Sequence, residues 1–187
     1  MSTTEKIAVI TDSCADVPQE LVRKHHLFIL PMGITCSDGA YRDGIDIHAE
    51  DIYERLKTEL PKSSTPSGAD VEDTFAEIKR QGYTKAVAIL LSGGLSGTVN
   101  HVRLAADELE GLEVAVYDSR QASIGIGVIA LQAAEYVEAG TTFEGLKEKI
   151  EGLIKSTKVF FSIDTLEYLQ KGGRIGKAAA LAGMLLD

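Results

Sequence analysis

The residues best equipped to hold a ligand gather in Leu91-Ser92-Gly93-Gly94-Leu95-Ser96-Gly97-Thr98. Hydroxyls can donate or accept, and glycines let a backbone approach a bound group closely. The preceding apolar run, Lys85-Ala86-Val87-Ala88-Ile89-Leu90, has strand length, and Val99 opens a helical pattern, so a strand-to-helix turn is predicted. Free amides there lie at the positive end of a helix, where an anion is stabilised. The same residues also suit an ordinary turn with Ser96 as helix N-cap. A second hydroxyl cluster, Ser63-Ser64-Thr65-Pro66-Ser67, reads either as a linker with Ser67 capping the next helix or as a flap over the same edge.

Other templates fit less well. Gly125-Ile126-Gly127-Val128-Ile129-Ala130 matches a dinucleotide fingerprint in letters, but a loop separates it from the strand before and its residues fall inside a helix, where close packing is the alternative. Gly94-Leu95-Ser96-Gly97-Thr98 misses the nucleophile-elbow spacing by one position. His25 and His26 are adjacent and cannot share a helix face, while His48 and His101 are isolated. Asp43 and Asp46 can bind a cation, but turn and capping roles explain them without a His or Cys at ligand spacing. No metal or cofactor is expected.

The elements that would position these loops alternate. Residues 7–10 and 27–34 read as strands, 85–91 as a third and 113–117 as a fourth; helices are predicted at 17–26, 49–60, 69–81, 99–109, 123–138 and 142–155. The prediction is an α/β fold, a doubly wound, mostly parallel sheet with helices on both faces. Ligands in such sheets sit beyond the carboxyl ends of the strands, where the loops from Thr11, Gly93 and Asp118 emerge. From Lys158 the pattern changes to a strand at 159–163, a short helix at 165–170, the basic glycine loop Lys171-Gly172-Gly173-Arg174-Ile175-Gly176 and a helix from Lys177. Residues 1–157 are therefore expected to form one domain and 158–187 the truncated beginning of a second, whose uncovered apolar surface favours self-association.

Composition excludes several classes. The chain has 187 residues, 44% of them hydrophobic, with 19 Lys and Arg against 28 Asp and Glu, a net charge of −9. That charge opposes general affinity for nucleic acid or an anionic membrane. No segment approaches the ~18 continuous apolar residues of a membrane span, and the first six residues lack a signal core, so a cytoplasmic protein is expected. Cys14 and Cys36 form no CxxC spacing and are read as reduced thiols.

Six motifs in order carry a resemblance: Thr11-Asp12-Ser13-Cys14-Ala15-Asp16, Tyr41-Arg42-Asp43-Gly44, Ser63-Ser64-Thr65-Pro66-Ser67, the glycine turn at 91–98, Tyr117-Asp118-Ser119, and Tyr168-Leu169-Gln170-Lys171-Gly172-Gly173-Arg174-Ile175. Together they resemble the DegV family across essentially the whole chain. DegV proteins are bacterial fatty-acid-binding proteins of two α/β domains, and some are the lipid-carrier subunit of a fatty-acid kinase. The resemblance implies a binder without catalysis of its own: a long-chain fatty acid with its carboxylate near Ser63, Ser64, Thr65, Ser92, Ser96, Gly97 and Thr98, presented to a kinase for acyl-phosphate formation. Lys171 and Arg174 would contact that partner or the transferred phosphate. The family usually has Thr where Ser63 stands and Gln where Thr65 precedes Pro66, so a hydroxyl is retained at the first position. Family members also continue beyond Asp187, with a histidine near the head group. From a different class, a small-molecule hydrolase or transferase would use the same strand-end site.

Overall fold

A computed structural model describes residues 5–176. Four parallel strands, β1 (Ile7–Asp12), β2 (Phe28–Leu30), β6 (Lys85–Leu90) and β7 (Glu113–Asp118), form the main sheet in the order β2-β1-β6-β7. The chain winds from β1 to β2 on one side and then crosses to β6 on the other. The winding thus reverses between β1 and β6, and that boundary is where such a sheet opens a crevice at its carboxyl edge.

Side-chain alternation splits the interior into two layers. Ile7, Val9, Val87, Ile89 and Leu91 face a core shared with α5 (Ile124–Glu138) and α6 (Phe143–Ser156). Ala8, Ile10, Ala86, Ala88 and Leu90 face the other, closed by α3 (Gly68–Arg80) and α4 (Thr98–Asp107). The central strands β1 and β6 are apolar on both faces for this reason, as a strand sandwiched between helix layers must be. The predicted doubly wound architecture is the one observed, and these elements lie within a few residues of their predicted bounds.

A second sheet departs from the reading. The apolar stretch 27–34 is two strands, because Pro31 lacks the N–H that would continue the ladder. After Pro31 and Met32 the chain leaves the main sheet and forms β3 (Gly33–Cys36), which pairs antiparallel with β4 (Gly39–Arg42) and β5 (Lys62–Ser64) in the order β4-β3-β5. The cluster at 63–67 is therefore not a plain linker: Ser63 and Ser64 belong to β5, while Ser67 does cap α3, its hydroxyl accepting from Asp70 N–H at 3.1 Å. The short α1 (Gln19–Lys24), which begins after Pro18, connects β1 to β2, and α2 (Ala49–Arg55), which stops well short of its predicted end, connects β4 to β5.

Beyond α6 the predicted strand at 159–163 does not form. Among the described residues no neighbouring segment offers it a ladder, and Phe160 and Phe161 are exposed. The short helix is α7 (Glu167–Lys171), and the helix predicted from Lys177 lies outside the described residues.

Candidate functional site at the strand ends

The loops that leave the carboxyl ends of β1, β2, β6 and β7 meet at the switch point and are tied to one another by side chains. Asp12, the last residue of β1, accepts from Leu91 N–H through Oδ2 at 2.7 Å and from Cys14 N–H through Oδ1 at 3.1 Å. Ser13 Oγ accepts from Met32 N–H at 3.1 Å, and Met32 Sδ lies 3.8 Å from Thr98 Oγ1. Asp118 Oδ1 accepts from both Gly93 N–H, at 3.1 Å, and Arg120 N–H, at 2.8 Å. Ser123 Oγ donates to Asp16 at 2.6 Å, joining the start of α5 to the β1 loop.

Within the turn at 91–98 the hydroxyls divide the work. Ser92 is buried; its hydroxyl accepts from Gly94 N–H at 3.2 Å and its carbonyl accepts from the amides of Leu95 and Ser96. Thr98 is buried too, its hydroxyl 2.8 Å from that of Ser96, which also accepts from Thr98 N–H at 3.3 Å. Ser96 is half-buried and Gly97, the N-cap of α4, is exposed. Ser92 and Thr98 build the turn, while Ser96 and Gly97 reach its surface. The Ser96 hydroxyl is bonded only to Thr98 among the described residues, so no base stands beside it to make it a nucleophile.

The second sheet brings the other hydroxyl segment to this turn. A Cβ placed on Gly97 would lie 3.8 Å from Thr65 Cγ2, so Thr65 stands against the α4 N-cap. Ser64 points away: its hydroxyl occupies the space over Gly33, where a Cβ would be 2.3 Å from it, and donates to Thr65 C=O at 3.3 Å. Strand alternation puts Ser63 on the opposite face from Ser64. Lys171 and Arg174 are exposed and locally engaged, Lys171 with Glu167 and Arg174 with the Gly172 carbonyl.

Two titratable groups here are displaced by burial. Asp12 is pushed up from 3.8 to about 6, chiefly by burial and also by the charge of Asp16, against the pull of the Leu91 and Cys14 amides. Burial and the carboxylates of Asp12, Asp43 and Asp16 drive the Cys14 thiol well above its usual range, which keeps it protonated and unreactive. Sequence reasoning did not single out Asp12 as a structural contact, although a carboxylate at the end of a β-branched run was a visible signal.

The remaining candidates have structural partners. Asp46 takes a two-pronged contact from Arg42 at 2.8 and 3.1 Å, and Gly44 supplies the left-handed residue of the same turn, so this pair shapes a loop. Cys36, Asp38 and Glu59 converge, but Arg55 bonds both carboxylates at 2.8 and 3.0 Å and fills that role. Gly125 and Gly127 are buried in α5; a Cβ on Gly127 would fall 2.5 Å from the Ala15 carbonyl oxygen, so the fingerprint-like glycines serve close packing. Cys14 and Cys36 are both free. No helix among the described residues is long and apolar enough to cross a membrane.

Comparison with known proteins places this geometry in context. A family model described as "Uncharacterised protein, DegV family" matches residues 6–187. A DegV domain-containing protein of Clostridium acetobutylicum is 38% identical over 183 residues, 98% of this chain and 65% of the relative. The crystal structure of DegV from Bacillus subtilis, described as a fatty acid binding protein, aligns with a TM-score of 0.88 at 31% identity, over 98% of this chain and 66% of its own. A DegV family protein from Thermus thermophilus, described for its fatty acid binding, aligns with a TM-score of 0.85 at 35% identity, over 97% of this chain and 65% of its own. The chain thus spans about 65% of the length of the curated relatives it matches.

Proposed function

The chain belongs to the DegV family, and on that premise we propose that it binds a long-chain fatty acid at the carboxyl edge of the main sheet. The observation that carries this reading is the meeting of Thr65 with the Gly97 N-cap at the switch point. Hydroxyls and free amides from two separate elements are there offered to one anionic group. A buried carboxylate must be hydrogen-bonded, and the donors proposed are Ser63, Thr65, Ser96 and the Gly97 amide, beside the Thr98 amide that bonds the Ser96 hydroxyl. Ser64, Ser92 and the Thr98 hydroxyl are already engaged and hold those donors in place. The relatives described as fatty-acid-binding support the ligand class.

The donor set also suits a carrier. A bidentate arginine would hold the carboxylate's electrons away from an incoming phosphoryl group, whereas neutral donors orient it and leave it nucleophilic. We infer a cytoplasmic lipid carrier that presents the acid to a partner kinase, with residues 1–157 as the first domain and residues from 158 opening a second. Lys171 and Arg174 would meet the kinase or the phosphate. Mass spectrometry of the denatured, purified protein tests the ligand class. Palmitate- or oleate-like species are expected; lipid-free protein that turns over ester substrates would favour a hydrolase instead.

A further inference from the structure

We propose that Asp12 is the positioning residue of the head-group site: its carboxylate, with one oxygen on each of two loops, sets their spacing, and its protonation loosens it. The inference rests on the fatty-acid reading for the site's purpose, but its geometry stands alone. Oδ1 caps the turn Ser13–Ala15, a common local contact, whereas Oδ2 reaches 79 residues along the chain to the Leu91 amide. Leu91 is the first residue past β6, where the β1–β6 ladder has run out. The carboxylate replaces the next main-chain acceptor and begins the turn that carries Ser96 and Gly97.

A carboxylate is required for both bonds at once. Asparagine has one acceptor oxygen, so its amide nitrogen would confront one of the two N–H donors; a protonated aspartic acid keeps its carbonyl oxygen as a full acceptor but leaves the other donor a hydroxyl oxygen that accepts only weakly. Asp12 is 0% exposed. A buried carboxylate with no cation beside it among the described residues is costly, which makes its place at the switch point informative. Among the described residues no lysine or arginine faces it. Cys14 and Asp16 follow it on the same loop, and a cavity of about 260 Å³ beside it is lined by Asp16, Gln19, Asp43 and His48 with no lysine or arginine. Burial has already moved Asp12 to about 6, so its protonation state changes within an accessible range.

The circuit through which it acts is closed. Asp12 fixes Leu91, Ser13 fixes Met32, and Met32 lies against Thr98, whose hydroxyl meets that of Ser96. Losing one bond of the pair releases the start of the turn while the others persist, so the site shifts without unfolding.

Two measurements on the protein test this. In amide NMR of the unliganded protein between pH 8 and 5.5, the Leu91 and Cys14 amides should titrate together with a midpoint near 6, followed by Ser96, Gly97 and Thr98, and all should be flat in Asp12→Asn. In calorimetric titration with oleate at pH 8, Asp12→Asn should bind about tenfold more weakly, the equivalent of ~1.4 kcal/mol. That ratio should shrink toward one at pH 5.5, where the wild type also loses its carboxylate; ionisation of oleate is common to both proteins and cancels. Amides that do not respond to pH, or equal affinities at pH 8, overturn the proposal. If the wild type binds no oleate, the fatty-acid reading fails, and the amides at 96–98 alone decide the strut.

Discussion

Replacing one glycine by alanine in two helices should change stability in opposite directions. Gly127 lies inside α5, where an added Cβ would be 2.5 Å from the Ala15 carbonyl oxygen and 3.1 Å from Val17 Cγ2. Ordinary carbon–oxygen contacts lie near ~3.3 Å, so helix and turn must separate by about 0.8 Å. The obstructing atom is main chain in a buried turn that cannot rotate away, which puts the cost toward the upper end of overpacking, ~3 kcal/mol. Alanine recovers ~1 kcal/mol of helix propensity, leaving a net loss of about 2 kcal/mol. Gly152, exposed in α6, meets nothing within 4 Å, so the same change there should add ~0.5–1 kcal/mol. Urea unfolding at constant m value reads both, with midpoints below wild type for Gly127→Ala and above it for Gly152→Ala. A Gly127→Ala midpoint at or above wild type would refute the packing argument, and with it the claim that Gly127 seats α5 against the β1 loop.

Asp12 makes stability depend on pH. Its folded value near 6 exceeds the unfolded 3.8, so the stabilisation is fully present below about pH 4 and lost as pH rises through 6. The stability difference between wild type and Asp12→Asn should therefore move by about 1.3 kcal/mol in favour of wild type from pH 7 to pH 5, measured by urea melts; no movement would contradict the burial argument. Asp38 behaves oppositely: Arg55 holds it down to about 2, so its contribution is lost only as pH falls toward that value, outside this window. Arg174→Ala should lower acyl-phosphate formation by a partner kinase while oleate affinity stays unchanged; loss of lipid binding would make the residue part of the pocket. Phe160 at 85% exposure, with Phe161, Ile163, Leu166 and Tyr168 also uncovered, should make the protein self-associate with concentration in sedimentation experiments, and a strict monomer would count against this.

The main sheet was legible because β1 and β6 are uninterrupted apolar runs followed by polar loops, a pattern that local sequence carries. The second sheet was not. Residues 62–64 are only three, they are exposed, and they become a strand solely by pairing with β3, nearly thirty positions earlier. Pro31 was the overlooked signal that residues 27–34 could not be one strand. The opposite error occurred at 159–163, where β-branched and aromatic residues have the right propensity but propensity without a partner strand makes no ladder. At the site, residue types pointed to the turn at 91–98, yet which hydroxyls face outward depends on hydrogen bonds such as Ser92 to Gly94 and Ser64 to Thr65, and these follow from backbone conformation.

The central claim is that Ser63 and Ser96 hold one carboxylate between the second sheet and the β6–α4 turn. Calorimetric titration of the delipidated protein with oleate tests it most directly. Ser63→Ala and Ser96→Ala should each weaken binding by ~1–3 kcal/mol, the cost of leaving a charged acceptor short of a donor. The double variant should lose less than the sum, because both hydroxyls serve one ligand. Wild-type affinity in both single variants would place the carboxylate elsewhere and contradict the account.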